Sequence, residues 1–159
     1  MADGDWVKLG STTLDTSGDT LEVDSLDAKQ FLYITVELVP SGTIDTDLTI
    51  NGVTSGYALR SNDNFGTEAT VVNQSNIATG SETTASLFII DIENFDGKEK
   101  LFMFRKITGG AGTGGTNYPT IMEGFGKCTA TDQISKITLT NTGAGSFDEL
   151  SNMTVFGCS

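Results

Sequence analysis

The stretch Phe31–Val39 (FLYITVELV) has the clearest pattern in the chain and indicates its fold class. Aliphatic side chains recur there at every second position, at Leu32, Ile34, Val36 and Leu38. This alternation is typical of a β-strand with one face in a core and the other toward solvent or a partner. A helix would scatter the same side chains around its circumference. The stretch therefore predicts a half-buried strand.

A second pair of apolar segments predicts a central β-hairpin. Leu87–Glu93 (LFIIDIE) leads to the turn Asp96-Gly97, and Leu101–Arg105 (LFMFR) runs back. Apolar residues occupy alternate and often consecutive positions in both arms, which is typical of strands covered on two sides. The core side chains expected here are Phe88, Ile90 and Ile92.

Weaker signals complete the strand pattern. Thr46–Ile50 alternates and meets Asn51-Gly52, a strong hairpin turn, so Tyr57–Arg60 is the expected return strand. Residues 61–84 are polar and predict a long connection, with one possible short strand at Ala69–Val72. Long loops of this kind often carry binding function.

These segments predict an all-β chain, with one antiparallel β-sandwich over residues 1–159 and about 8–10 strands. The 159 residues suit one domain, and 19 Gly with only 2 Pro suit short strands joined by polar turns. Many short antiparallel strands fold into two packed sheets, and a jelly roll is the expected arrangement.

Charge and composition argue against several partners. The formal net charge of −12 disfavours nucleic acid, whose phosphates need a basic surface. The N-terminal residues show no signal peptide and no stretch is long and apolar enough for a membrane, so we expect synthesis in a host cytoplasm without secretion. In that reducing compartment Cys128 and Cys158 are expected to be free, buried thiols.

The chemistry of the chain favours a protein without an enzymatic site or cofactor. It contains no His, which removes the commonest general base and transition-metal ligand. Asp91 and Glu93 are a candidate carboxylate pair for glycoside hydrolysis, but they point the same way on one strand and fit an exposed polar face.

Two further patterns have competing interpretations. Asp45, Asp47 and Asn62-Asp63-Asn64 offer oxygen ligands for calcium, although their spacing fails the EF-hand pattern and Asx turns explain them as well. The Gly-rich segment 109–115 lacks the ending of a phosphate-binding loop and predicts a flexible connector.

The last third of the chain carries a resemblance to a known group. An isoleucine-rich strand lies within Asp132–Asn141, Phe147 and Ser151 form a Phe-x-x-x-Ser turn, and Val155–Gly157 lies in the final strand. These motifs resemble the closing strands of small jelly-roll structural proteins of tailed bacteriophages. Tyr57 and Arg60 also match a Tyr-x-x-Arg pattern of that group.

One position departs from the group. A small residue usually precedes the turn serine there, whereas Leu150 stands in this chain. The resemblance implies a virion component, and the compact chain favours a capsid decoration (cement) protein. Its expected partners are the major capsid protein or other virion proteins and copies of itself.

The alternative is a glycan-binding or receptor-binding module of a tail or fibre. Such a module would place aromatic side chains near polar residues, in a concave face or in the 61–84 connection. Trp6, Tyr33, Tyr57 and Tyr118 are the amphipathic aromatic residues available, although packing in the core or an interface explains them equally.

Basic and apolar residues around the central hairpin predict where the chain docks. Lys98, Lys100, Arg105 and Lys106 supply 4 of the 9 basic residues of an acidic chain. Charged contacts align partners more than they bind them, so neighbouring apolar side chains must supply the affinity. The candidate interface residues are Lys98, Lys100, Phe102, Phe104 and, on the N-terminal arm, Trp6.

Overall fold

The computed structural model describes residues 4–72, 75–109 and 118–159 and contains no helix within them. Its strands are β1 Val7–Thr13, β2 Thr20–Val23, β3 Phe31–Leu38, β4 Ile44–Ile50, β5 Tyr57–Asp63, β6 Ala69–Val72, β7 Asn76–Glu82, β8 Ser86–Glu93, β9 Lys100–Thr108, β10 Thr120–Cys128, β11 Ile137–Asn141 and β12 Asn152–Cys158. All of their pairings are antiparallel, as an all-β sandwich requires. The described part of the chain has twelve strands, two more than the upper end of the expected range.

The strands form two sheets. The larger has eight strands in the order β1-β12-β3-β8-β9-β10-β5-β6, and the smaller has four in the order β2-β11-β4-β7. The chain alternates between β1, β3, β8 and β12 in one layer and β2, β4, β7 and β11 in the other, which is the jelly-roll arrangement. The predicted antiparallel, jelly-roll-like sandwich is confirmed.

Four strands extend one sheet beyond this eight-stranded framework. β5 and β6 come between β4 and β7, and β9 and β10 come between β8 and β11. They add to the edge next to β8 in the order β9-β10-β5-β6. The extension doubles the width of that sheet and gives it a broad outer face.

The core lies between the sheets and follows the period-two pattern. On β3 the side chains of Leu32, Ile34, Val36 and Leu38 are buried, as predicted. The predicted hairpin is also confirmed, because β8 pairs with β9 and Phe88, Ile90 and Ile92 are buried.

The prediction of a hairpin at Asn51-Gly52 is wrong in one respect. A turn forms there, with positive φ at both residues (51° and 72°), and Ile50 bridges Val53. The chain then crosses to the other sheet, so β5 pairs with β10 and β6 instead of β4. One buried hydrogen bond links β4 and β5, because the Ile50 N–H donates to the Tyr57 hydroxyl at 2.8 Å.

The long connection predicted for residues 61–84 is partly wrong. It contains β6, where a short strand was expected, and also β7, which pairs with β4 and completes the smaller sheet. Of the Gly-rich segment 109–115, residues 110–115 lie outside the described residues.

Candidate docking face

The outer face of the eight-stranded sheet carries a set of exposed apolar side chains. They stand on β3, β8, β9 and β10, and each is between 41% and 59% exposed. We call them the apolar face: Phe31, Leu87, Leu101, Met103, Ile107 and Phe125. Soluble proteins rarely leave apolar side chains contiguous on a surface unless the surface binds something.

The pleat of β9 explains how the apolar face arises. Phe102 and Phe104 are 4% and 1% exposed, whereas Leu101 and Met103 are 51% and 48% exposed. Successive side chains of a strand point to opposite faces, so a strand with apolar residues at consecutive positions supplies both the core and the surface. The consecutive apolar residues seen in the sequence thus mark a strand whose outer side is also apolar.

A groove of about 610 Å³ lies across one end of this face. Its apolar walls include Trp6, Phe31, Leu101, Met103 and Phe125, and the carboxyl side chains of Asp91 and Glu93 also line it. We call it the outer groove. Cross-strand register places Glu93 between Phe31 and Leu101, and Asp91 between Tyr33 and Met103. Each carboxylate therefore has an apolar or aromatic side chain on either side.

Aromatic contacts hold the β1–β3 side of the outer groove. Trp6 packs edge-on against Tyr33, with 6.0 Å between ring centroids, and Phe31 packs edge-on against Phe95 at 5.6 Å. Such pairs stabilise ring positions beyond the area that they bury. Trp6 remains 50% exposed and thus still presents a ring surface to the groove.

The carboxylates of the outer groove differ from three ion pairs elsewhere on this side of the sheet. Arg105 pairs with Glu123 at 3.1 Å, Lys127 with Glu99 at 3.2 Å and Arg60 with Glu68 at 3.0 Å. Within residues 4–72, 75–109 and 118–159, neither groove carboxylate has a basic partner or a hydrogen bond.

The sequence predicted an exposed polar face for Asp91 and Glu93, whereas both carboxylates are half-buried in this groove. They do point the same way along β8, but their surroundings are the apolar walls of the groove. A negative charge among apolar side chains has lost part of its hydration and gains from a cation placed beside it.

Three of the five predicted interface residues are in the core, and their prediction is wrong. Phe102 and Phe104 point inward with the pleat. Lys100 is fully buried, and its ammonium donates to the carbonyl oxygens of Phe95 and, at 3.1 Å, Thr131. Burial lowers the pKa of this ammonium, and the neighbouring Asp96 and Asp132 oppose the shift.

The other two predicted residues are on the surface. Lys98 is exposed in the β8–β9 turn, and Trp6 lies in the outer groove. The sequence missed the exposed residues of the apolar face, among them Leu101, Met103 and Phe125. The available signal was the run of consecutive apolar residues in both arms of the hairpin.

The proposed calcium ligands are not brought together. Asp45 and Asp47 lie on β4 of the smaller sheet, whereas Asn62 and Asp63 end β5 of the larger one. Asn64 takes a positive φ of 48°, and its side-chain oxygen accepts the Ile121 N–H at 3.0 Å. Among the described residues, no group of three or more Cys, Asp or Glu side chains is placed to hold a metal ion.

The thiols are free, as predicted, but only one of them is fully buried. Cys128 lies in the core, and Cys158 is half-buried at the edge of the outer groove.

Comparison with known proteins identified no relative of this chain. No protein-family model, curated protein or solved structure matches the chain. No helix long and apolar enough to cross a membrane is found in the described part of the chain.

Proposed function

We propose that this chain is a non-enzymatic structural protein that attaches to a larger assembly through the apolar face. The assembly is a tailed-phage virion, and the role is that of a capsid decoration protein. The observation that carries the proposal is the set of six exposed apolar side chains on one broad sheet. Burying apolar surface contributes about 25 cal/mol per Å², so covering this face favours association.

The shape of the sheet supports docking. The four added strands widen one sheet, and the apolar face spans β3, β8, β9 and β10. Regular strands hold the backbone of this face in place, so a partner that covers it has to order side chains and no loop. Such a face suits a permanent structural contact.

The virion assignment is supported by the resemblance of the closing strands. Phe147 and Ser151 are fully buried, and the Ser151 hydroxyl accepts the Val39 N–H at 2.9 Å. These motif residues stabilise the sandwich, so they support a fold shared with the jelly-roll phage proteins. The proposed role in a virion rests on the structural function of those proteins. The net charge of −12 favours a protein partner, such as the major capsid protein, over nucleic acid.

The experiment is detection of the chain in purified particles of the phage that encodes it. Virions are banded by density, washed in high salt and analysed by quantitative mass spectrometry against the major capsid protein. A constant ratio that survives washing supports the proposal. A chain left entirely in the unassembled fraction of the lysate contradicts it.

A glycan-binding module of a tail or fibre is the second candidate, and the outer groove is the observation that favours it. Aromatic rings such as Trp6 and Phe125 offer stacking surfaces, and Asp91 and Glu93 can accept hydrogen bonds from hydroxyl groups. A glycan array separates the candidates: specific binding that Phe125→Ala abolishes favours the glycan, and no binding favours docking.

A further inference from the structure

We infer that the outer groove receives a basic side chain, arginine or lysine, from an apolar segment of the protein partner. The inference rests on the proposed function for the existence of a docking partner, and it adds the chemistry that this partner presents. The occupant is a short segment with a cation that reaches Asp91 and Glu93 and apolar neighbours that cover the surrounding walls.

The lining of the groove specifies the charge of the occupant. Among the described residues that line it, Asp91 and Glu93 supply the carboxyl oxygen atoms and none is basic. Both carboxylates are half-buried between apolar or aromatic neighbours. Covering them with a neutral segment would remove their remaining hydration without compensation, whereas a guanidinium or ammonium group replaces that hydration with charge-assisted hydrogen bonds.

The aromatic rings favour the same occupant. Trp6, Phe31 and Phe125 line the groove together with the two carboxylates. The face of an aromatic ring attracts a cation, and the attraction grows as water is excluded. A guanidinium group also stacks on such rings while it hydrogen-bonds a carboxylate, a combination that an ammonium group achieves less fully.

A glycan fits the same lining less well. Glycan hydroxyl groups need both donors and acceptors, yet the described residues that line the groove include no Asn, Gln, Ser or Thr. The carboxylate oxygens of Asp91 and Glu93 are acceptors and supply no donor.

The charge of the chain argues against a second copy as the occupant. Each copy carries a net charge of −12, so pairing two groove faces brings like charges together. Three basic groups on this side of the sheet, Arg60, Arg105 and Lys127, are paired with carboxylates. A basic partner segment avoids the repulsion between two acidic copies.

The extent of the apolar surface favours a protein segment over a small cation. Leu87 and Ile107 continue the apolar face beyond the groove and are 41% and 46% exposed. A small molecule seated on the carboxylates would leave these side chains in water, whereas a peptide segment can cover both regions.

Trp6 provides a direct reporter of occupancy, because it is the only tryptophan of the chain and lines the groove. The probes are capped pentapeptides without tryptophan: LRFKL, which is basic, and LQFQL, which has the same apolar residues and no charge. We expect LRFKL to shift the Trp6 emission and to bind at least about tenfold more tightly than LQFQL.

Charge-neutral variants locate the effect. Asp91→Asn with Glu93→Gln removes both groove charges at constant size, and we expect the tenfold preference for LRFKL to disappear. The control, Asp15→Asn with Glu149→Gln, removes two exposed charges near the ends of β1 and β12 that lie away from the groove, and it changes the net charge equally. We expect it to keep the preference, and thermal melting verifies that both variants are folded.

Three results would overturn the inference. They are equal binding of both peptides, equal loss in both double variants, and no emission change with either peptide, whether or not chitotriose produces one. The peptide measurement needs no particle, so it tests the basic occupant separately from the proposed docking function. The docking function is tested by the ratio of this chain to the major capsid protein in washed virions. The peptide comparison itself uses the unmodified protein and stands even if a variant fails to fold.

Discussion

Phe104 lies across the bare backbone of Gly124, its directly opposite neighbour on the next strand. Its ring occupies the place where a side chain at Gly124 would begin, and Phe102 has the same relationship to Gly126. The two rings fill the inner side of β9 and β10 and enter the core. The same pleat turns Leu101 and Met103 outward, so the packing of the core and the apolar face have one cause.

Gly124→Ala is therefore expected to destabilise the protein by about 1–3 kcal/mol, because the added methyl group must displace the Phe104 ring. The measurement is equilibrium unfolding in denaturant. Gly18→Ala is the matched control, since no atom lies within 4 Å of a side chain added there. Equal effects at the two glycines would contradict the packing described for Phe104.

Ile90→Ala tests the predicted core of the hairpin. Ile90 is fully buried and pairs with Phe104, so we expect a loss of about 2–5 kcal/mol in the free energy of unfolding. Leu87→Ala on the same strand is the control, because Leu87 is 41% exposed and its truncation should cost about 1 kcal/mol or less. A loss below 1 kcal/mol for Ile90→Ala would place this residue outside the core.

Leu150→Gly should stabilise the turn that precedes β12. Leu150 has a φ of 71°, a conformation that costs a residue with a side chain about 1–2 kcal/mol and glycine almost nothing. Part of that gain is lost to the greater freedom of glycine in the unfolded chain, so we expect a net gain of up to about 1 kcal/mol. Leu150→Ala keeps the restriction and should give no gain; an equal gain in both variants would refute the conformational cause.

Asp47 gives a pH-dependent prediction. Burial raises the pKa of its carboxyl above its ordinary value of 3.8; the hydrogen bond with the Asn76 side chain opposes this, and the charge of Asp45 adds to it. An acid with a raised folded pKa destabilises the folded state once ionised, and this loss develops as pH rises from 3.8 through the folded pKa. We expect Asp47→Asn to raise the melting temperature at pH 7, with a difference from the unmodified chain that shrinks as pH falls toward 3.8. A difference that stays constant with pH would show that ionisation is not its cause.

Local sequence patterns correctly predicted the strands and turns that depend only on neighbouring residues. The alternation in β3 and the turn at Asp96-Gly97 gave the correct strands, because side-chain period and turn chemistry act within a few residues. Asn51-Gly52 also gave a turn, but no local signal tells a following strand which sheet to join. That choice depends on packing between distant segments, such as β5 against β10.

β7 was missed for a related reason. Its sequence Asn76–Glu82 is polar and has little apolar alternation, and it becomes a strand through pairing with β4. Pairing with an existing sheet supplies hydrogen bonds that a weak intrinsic preference cannot.

Three of the five candidate interface residues are buried, and β9 shows why the sequence did not reveal this. Both alternating sets of its residues contain apolar side chains, so the period-two pattern shows two partly apolar sides without showing which side is buried. Gly124 and Gly126 on the neighbouring strand held the missing information, because bulky Phe102 and Phe104 fit opposite glycine. Lys100 misled the prediction because backbone carbonyl groups and nearby carboxylates compensate its burial.

Attachment of the chain to a particle through the apolar face can be measured as the occupancy of variants of that face. Leu101→Glu with Met103→Glu places two charges on the face, while Phe65→Glu with Leu150→Glu places two at exposed apolar positions outside its six residues. Each variant is added in excess to particles that lack the protein, and bound copies are counted after washing. We expect the first variant to lose at least about nine-tenths of the occupancy, which under excess protein requires an affinity loss well above tenfold, and the second to bind as the unmodified chain does. Full occupancy of the first variant, with both variants equally stable in solution, would contradict attachment through this face.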